Sequence, residues 1–174
     1  MSSHHKNSDN GKDAGKSADV RTTVSPAEVV AVLHDAGFRA SLVEDAKRPR
    51  VRSAVQGLAF SVDFVSQPNA DQQYVDFAFH CPIRIDGELP DTVINRWNRA
   101  KRFVRLVRNE KFLYVTMDVL LAGGVTLQHL RAHCELWDHL IRELVLHLQQ
   151  PAGLDMSDAV AAAAPAAPAA PAGA

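Results

Sequence analysis

Apolar residues along this chain recur with two periods, and the switches between them mark out the elements. Val29, Val30, Leu33 and Ala36 return at helical spacing behind Ser25-Pro26-Ala27-Glu28. That tetrapeptide supplies a capping serine, a proline at the first helical position and an acid near the positive end of the helix dipole. Gly37 ends the helix. Phe38, Ala40 and Leu42 then alternate with Arg39 and Ser41, which predicts a short strand, and the charged run from Glu44 to Arg50 predicts a loop. Val51 to Gln56 is a strand, Gly57 a turn, and Leu58 to Ser66 a strand with Phe60, Val62 and Phe64 on one face. After the break at Gln67-Pro68-Asn69, Tyr74 to Cys81 repeats the alternation and Pro82 stops it. Returns this short require antiparallel pairing, because a parallel crossover takes about a dozen residues or more.

The second half follows the same logic. Pro90 to Arg102 is a helix with Asp91 early and Val93, Ile94, Trp97 and Ala100 as its buried stripe. Phe103 to Arg108 and Phe112 to Leu121 are strands joined by a tight turn at Asn109-Glu110, where asparagine tolerates a left-handed backbone. Leu113, Val115, Met117 and Val119 share one face of the second strand; Tyr114, Thr116 and Asp118 share the other. Gly123-Gly124 marks a turn with positive φ. The longest helix, Val125 to Gln149, carries a seam of Leu127, Leu130, Cys134, Trp137, Ile141, Leu144 and Leu148, with Arg131–Glu135 and Asp138–Arg142 spaced to pair across one turn. The order is helix, three or four strands, helix, two strands, helix. The fold class is α+β, an antiparallel sheet flanked by helices.

Composition sets the domain limits. Residues 1–24 are too polar to join a core, and the Ala-rich stretch near the C-terminus is broken by Pro165, Pro168 and Pro171. The expected organisation is a disordered tail over 1–24, one domain over 25–151 and a second disordered tail over 152–174. Net charge is −1, so no global field commits the chain to nucleic acid or membrane. Cys81 and Cys134 lack metal or redox spacing, which fits a reduced, cytoplasmic protein without a membrane segment.

Candidate chemistry is sparse. His80 and Cys81 are neighbours, but alternation puts them on opposite faces of a strand. His129 and His133 have the spacing of two metal ligands on a helix, without a third ligand or an HExxH pattern. Gly123-Gly124 lacks the lysine that completes a phosphate loop. No enzyme and no cofactor is predicted. From Arg96 to Lys111, seven basic side chains stand against Glu110 alone, a local charge of +6. Arg96, Arg99, Arg105 and Arg108 are the anion-binding candidates there, though dispersal over helix and strand and an Arg102–Asp118 pair favour a solvated face over nucleic acid. On the last helix, His129, His133, Leu136, Leu140 and His147 widen the apolar surface beyond the seam, more than one sheet contact requires. This flank is the candidate contact for a second copy or a client chain.

Asn95, Trp97, Asn98, Arg102 and Phe103, followed by Asp118 and Gly123-Gly124-Val125, resemble the signature of the YbjN-like family, whose members are described as regulators of bacterial sensory transduction. The resemblance implies a fold similar to the type III secretion chaperones: usually homodimeric, non-enzymatic, and built to hold other polypeptides. It brings no catalytic residues. The motif residues are expected to be structural, with the Asn95 and Asn98 amides serving strand or turn backbone around the Gly-Gly corner.

Overall fold

In the computed structural model, which describes residues 19–44 and 48–149, the two periods become eleven elements. They are β1 (Val20–Arg21), α1 (Pro26–Asp35), β2 (Ser41–Glu44), β3 (Pro49–Val55), β4 (Leu58–Asp63), β5 (Asp76–Arg84), α2 (Asp91–Ala100), β6 (Arg105–Asn109), β7 (Phe112–Leu120), β8 (Val125–Thr126) and α3 (Leu127–Gln149). Six strands form one antiparallel sheet in the order β2-β3-β4-β5-β7-β6, and β1 pairs with β8 as a separate ribbon. The α+β class is the one the alternation predicts.

The start of α1 is built as its sequence requires. Ser25 Oγ accepts from the Glu28 backbone at 3.3 Å, and Glu28 returns the bond to the Ser25 backbone at 2.8 Å, a complete capping box. These bonds, together with Arg21, hold the Glu28 carboxyl below its ordinary range against the opposing effect of burial. Gly37, at φ 89°, lets the chain turn out of the helix into β2.

Register sorts the sheet into two faces. The inner face carries Val51, Val55, Phe60, Val62, Phe77, Phe79, Cys81, Leu113, Val115, Met117 and Val119, all buried. The buried residues of α1 and α3, and Ile94 and Trp97 of α2, join the same core. Trp137 of α3 is its centre, with ring centroids 5.2 Å from Phe79 and 5.7 Å from Phe60. On the outer face Arg52, Ala54, Ala59, Pro82, Arg105, Val107, Phe112, Asp118 and Leu120 are exposed, and no described helix lies over them.

Several expectations are corrected. The N-terminal tail does not extend to Val24: Val20 and Arg21 pair with Thr126 and Val125, and Val24 is 1% exposed and bridges Tyr74 through two backbone bonds of 2.9 and 2.8 Å. Gly124 makes room for this segment, since a Cβ there would sit 2.6 Å from Val20 Cγ1. The rest of that tail, and all of 152–174, lie outside the described residues. Pro82 does not end its strand. The bonds Leu121 N to Val75 O and Ile85 N to Lys111 O show that odd-numbered residues of β5 face β7. Pro82 is therefore turned towards β4, whose pairing has already ended at His80, and no bond is lost. In the β6–β7 hairpin it is Glu110, at φ 51°, that takes the left-handed backbone, because Asn109 still pairs with Phe112. Ala100 and Leu127, expected to be buried, are exposed; at Leu127 the helix begins two residues later than predicted, after β8.

Candidate functional site

The motif residues of α2 act on the open edge of the sheet. By the same parity, Val104 and Leu106 turn their backbone groups away from β7. Trp97 Nε1 donates to Val104 O at 3.4 Å. Asn98 donates from Nδ2 to Leu106 O at 3.0 Å and accepts from Leu106 N at 2.9 Å, so one primary amide copies the pairing of an absent strand. An edge strand left bare is a template for aggregation, and here α2 blunts it. Asn98 thus bonds strand backbone at the β6 edge, not around the Gly-Gly corner. Asn95 is exposed beside it. Arg102 lies over the Phe103 ring, 5.5 Å from its centroid, and forms no pair with Asp118. Asn98→Leu should cost about 1–2 kcal/mol, the worth of two net hydrogen bonds. It should also raise light scattering on storage, whereas Asn98→Asp, which still accepts from Leu106 N, should fall between. Urea midpoints and scattering equal to wild type in both variants would show the edge needs no seal.

The flank on α3 is divided by its neighbours. Leu140 is 5% exposed and Leu136 packs on the core. His147 donates from Nε2 to Val93 O of α2 at 3.0 Å, with its ring 5.4 Å from that of Trp97. Lys101 pairs with Glu143 at 2.9 Å across the same junction. Leu136 and Leu140 are thus taken up by the core and His147 by α2. His129 and His133 remain at the other end, rings 4.4 Å apart, with His133 Nδ1 donating to His129 O at 2.9 Å. Partial burial, and then the neighbouring His133, push the His129 imidazole below its ordinary pKa. Among the described residues no third side chain joins them as a ligand.

The arginines separate in the same way. Arg108 donates to Leu89 O at 2.6 Å and so ties down the loop before α2. Arg96 and Arg99 edge a recess of about 510 Å³ shared with Thr92, Asn95 and Asn98, and Arg105 lines a neighbouring recess that also reaches Asn98. Arg99 and Arg105 are exposed, with no acidic partner among the described residues.

Neither cysteine is poised for chemistry. Burial pushes the Cys81 thiol up to about 11 and the Cys134 thiol to about 12, so neither supplies thiolate near neutrality. Iodoacetamide should leave both unmodified in the native protein and label both after unfolding, as mass spectrometry would read. Rapid native labelling would reopen a thiol site. His80 stands on the opposite face from Cys81, stacked on Tyr114 at 5.3 Å and 14°.

That opposite face holds what the sequence did not single out. Ala54 pairs with Ala59, Pro82 with Tyr114, and Tyr114 with Val107; the β4–β5 register, carried on from Ser61 and His80, sets Ala59 beside Pro82. An apolar row therefore crosses five strands, and Phe112, 6.1 Å from Tyr114 and 39% exposed, extends it. The next row is polar: Arg52, Ser61, His80, Thr116 and Arg105. Alternation in each strand was visible from sequence, but the row exists only once register is known.

A family model, YbjN, described as "putative bacterial sensory transduction regulator", matches residues 25–150. No curated protein and no solved structure matches the chain. No helix among the described residues is long and apolar enough to cross a membrane.

Proposed function

The chain belongs to the YbjN family, and we propose that it works as a non-enzymatic, cytoplasmic regulatory module that holds a polypeptide partner in the manner of a chaperone. One observation carries this reading: an accessible apolar row crosses the sheet on the face that no described helix covers. Antiparallel sheets tolerate water on one side when that side is polar, but contiguous apolar surface there marks an interaction site. The buried, protonated thiols and the separation of His80 from Cys81 argue in the same direction, against nucleophilic chemistry.

A second reading has its own observation. Arg99 edges the α2 recess and Arg105 a neighbouring recess that shares Asn98, both without acidic partners among the described residues, and an anion or nucleic acid would neutralise them. Immobilised full-length protein, its Ala59→Arg variant and an Arg99→Glu/Arg105→Glu variant should be compared in native lysate. Polypeptides held by wild type and by the double glutamate, but lost from Ala59→Arg, are the expected result. Nucleic acid released by salt and lost only from the double glutamate would replace the first reading by the second.

A further inference from the structure

The turn from α2 into β6 holds a side chain that its backbone does not favour. Lys101 N bonds Trp97 O at the end of the helix, while Trp97 Nε1 holds Val104 O and Asn98 holds both backbone groups of Leu106. Only Arg102 and Phe103 are left to make the reversal. Val104 N donates to Arg102 O at 2.9 Å across a single residue, and that residue, Phe103, sits at φ 71°. This is a three-residue turn of the rarer, strained hand. Glycine takes such a backbone freely and a bulky side chain does not. Yet the position holds phenylalanine, 63% exposed and outside the core. Its ring meets the Arg102 guanidinium at 5.5 Å, an exposed contact that stabilises less than the strained backbone destabilises. A strained, exposed aromatic side chain of this kind points to binding and not to support of the fold.

What surrounds the ring specifies the ligand. Phe103 lines a recess of about 330 Å³ with Asn98, Lys101, Val104 and Arg105, and the recess edged by Arg99 shares Asn98 with it. Lys101 is engaged by Glu143 and Arg102 by the ring, whereas Arg99 and Arg105 have no acidic partner among the described residues. An exposed ring face takes a flat π system, and unpaired guanidiniums take phosphate oxygens. A nucleoside phosphate offers both in one small molecule, and the recess falls within the range of small-ligand sites, roughly 300–1,000 Å³. A membrane surface requires more buried apolar area than one ring supplies. A nucleic-acid strand requires further rings for successive bases, and neither recess has a second aromatic side chain. We infer that the α2–β6 turn binds a nucleoside phosphate, its base stacked on Phe103 and its phosphates held by Arg105 and Arg99. The inference rests on the second reading, in which an anion neutralises these two arginines, and it leaves the apolar row open to a polypeptide.

Calorimetric titration of the full chain with the 5′-diphosphates of adenosine, guanosine and uridine tests it, beside the free nucleosides, pyrophosphate and a single-stranded oligodeoxythymidine. At least one diphosphate should bind about tenfold or more tighter than pyrophosphate, the worth of one stacked base. Phe103→Gly should remove that advantage, with a melting temperature equal to or above that of wild type, because the strain leaves with the ring. Phe103→Tyr should bind as wild type does. Arg99→Glu/Arg105→Glu should melt like wild type and bind the diphosphate no better than the free nucleoside. Pyrophosphate held through the two arginines, with no diphosphate tighter, overturns the inference while the second reading stands. If neither the diphosphates, pyrophosphate nor the oligonucleotide binds, both fall. Binding indifferent to Phe103→Gly overturns the inference, as does a lowered melting temperature of that variant, which would make the ring a support of the fold. An oligonucleotide held more tightly than every diphosphate gives the site to a nucleic-acid strand and overturns the small ligand.

Discussion

Trp97→Ala lowers the stability of the fold by about 3–5 kcal/mol, the range for truncating a buried aromatic side chain. Trp97 is 1% exposed and joins three elements: it lies on α2, bonds Val104 O ahead of β6, and meets His147 at the end of α3. Its loss opens a cavity and also removes the partner of Val104 O, so the surroundings have little means of collapsing onto the site. Trp137 provides the contrast. It is fully buried, yet its Nε1 has no hydrogen-bond partner among the described residues. Trp137→Phe therefore relieves an orphaned donor while it loses part of a ring, and the two terms, each about 1–3 kcal/mol, nearly cancel. Urea unfolding of both variants measures the difference. A Trp97→Ala midpoint within error of wild type would detach α2 from the core and undo the account of its motif.

The second large effect lies at the N-terminus. A chain that begins at Asp19 should unfold like the full-length protein, because residues 1–18 are too polar to contribute to a core. A chain that begins at Ser25 should lose about 2–4 kcal/mol, most of it from burial of the Val24 side chain. The remainder comes from the Tyr74 backbone, whose N–H and C=O both pair with Val24, and from Arg21, which pairs with Glu28 of the capping box. Thermal melts of the two truncations side by side decide the matter. Equal melting temperatures would mean that β1 and Val24 rest on the surface without supporting it.

What the sequence made legible was local. Ser25 to Glu28 announces a helix start, and the alternation from Leu58 to Asp63 and from Leu113 to Val119 names the inner face residue by residue. What it withheld depends on neighbours far along the chain. Val20-Arg21 carries no strand signal of its own and is a strand only because Val125-Thr126 runs beside it. Pro82 reads as a stop until its missing donor is seen to point away from β7, past the last β4–β5 pair at His80. The apolar surplus on α3 is real, but a helix seen alone does not show that the core takes Leu140 and that α2 takes His147 out of play. The apolar row was hidden for the same reason. Each of its five residues looks like an ordinary outward position, and only register aligns them.

The central claim is that this row is the face on which a polypeptide partner docks. Nuclear magnetic resonance of the full chain with a soluble paramagnetic agent tests it residue by residue. With polypeptides captured from lysate bound, Ala54, Ala59, Val107 and Tyr114 should be shielded from the agent, although they are accessible or half-accessible in the single chain, while Leu127 and Leu146 on α3 are relaxed strongly. Relaxation of the row as strong as that of Leu146, with shielding on α3 in its place, would contradict the account.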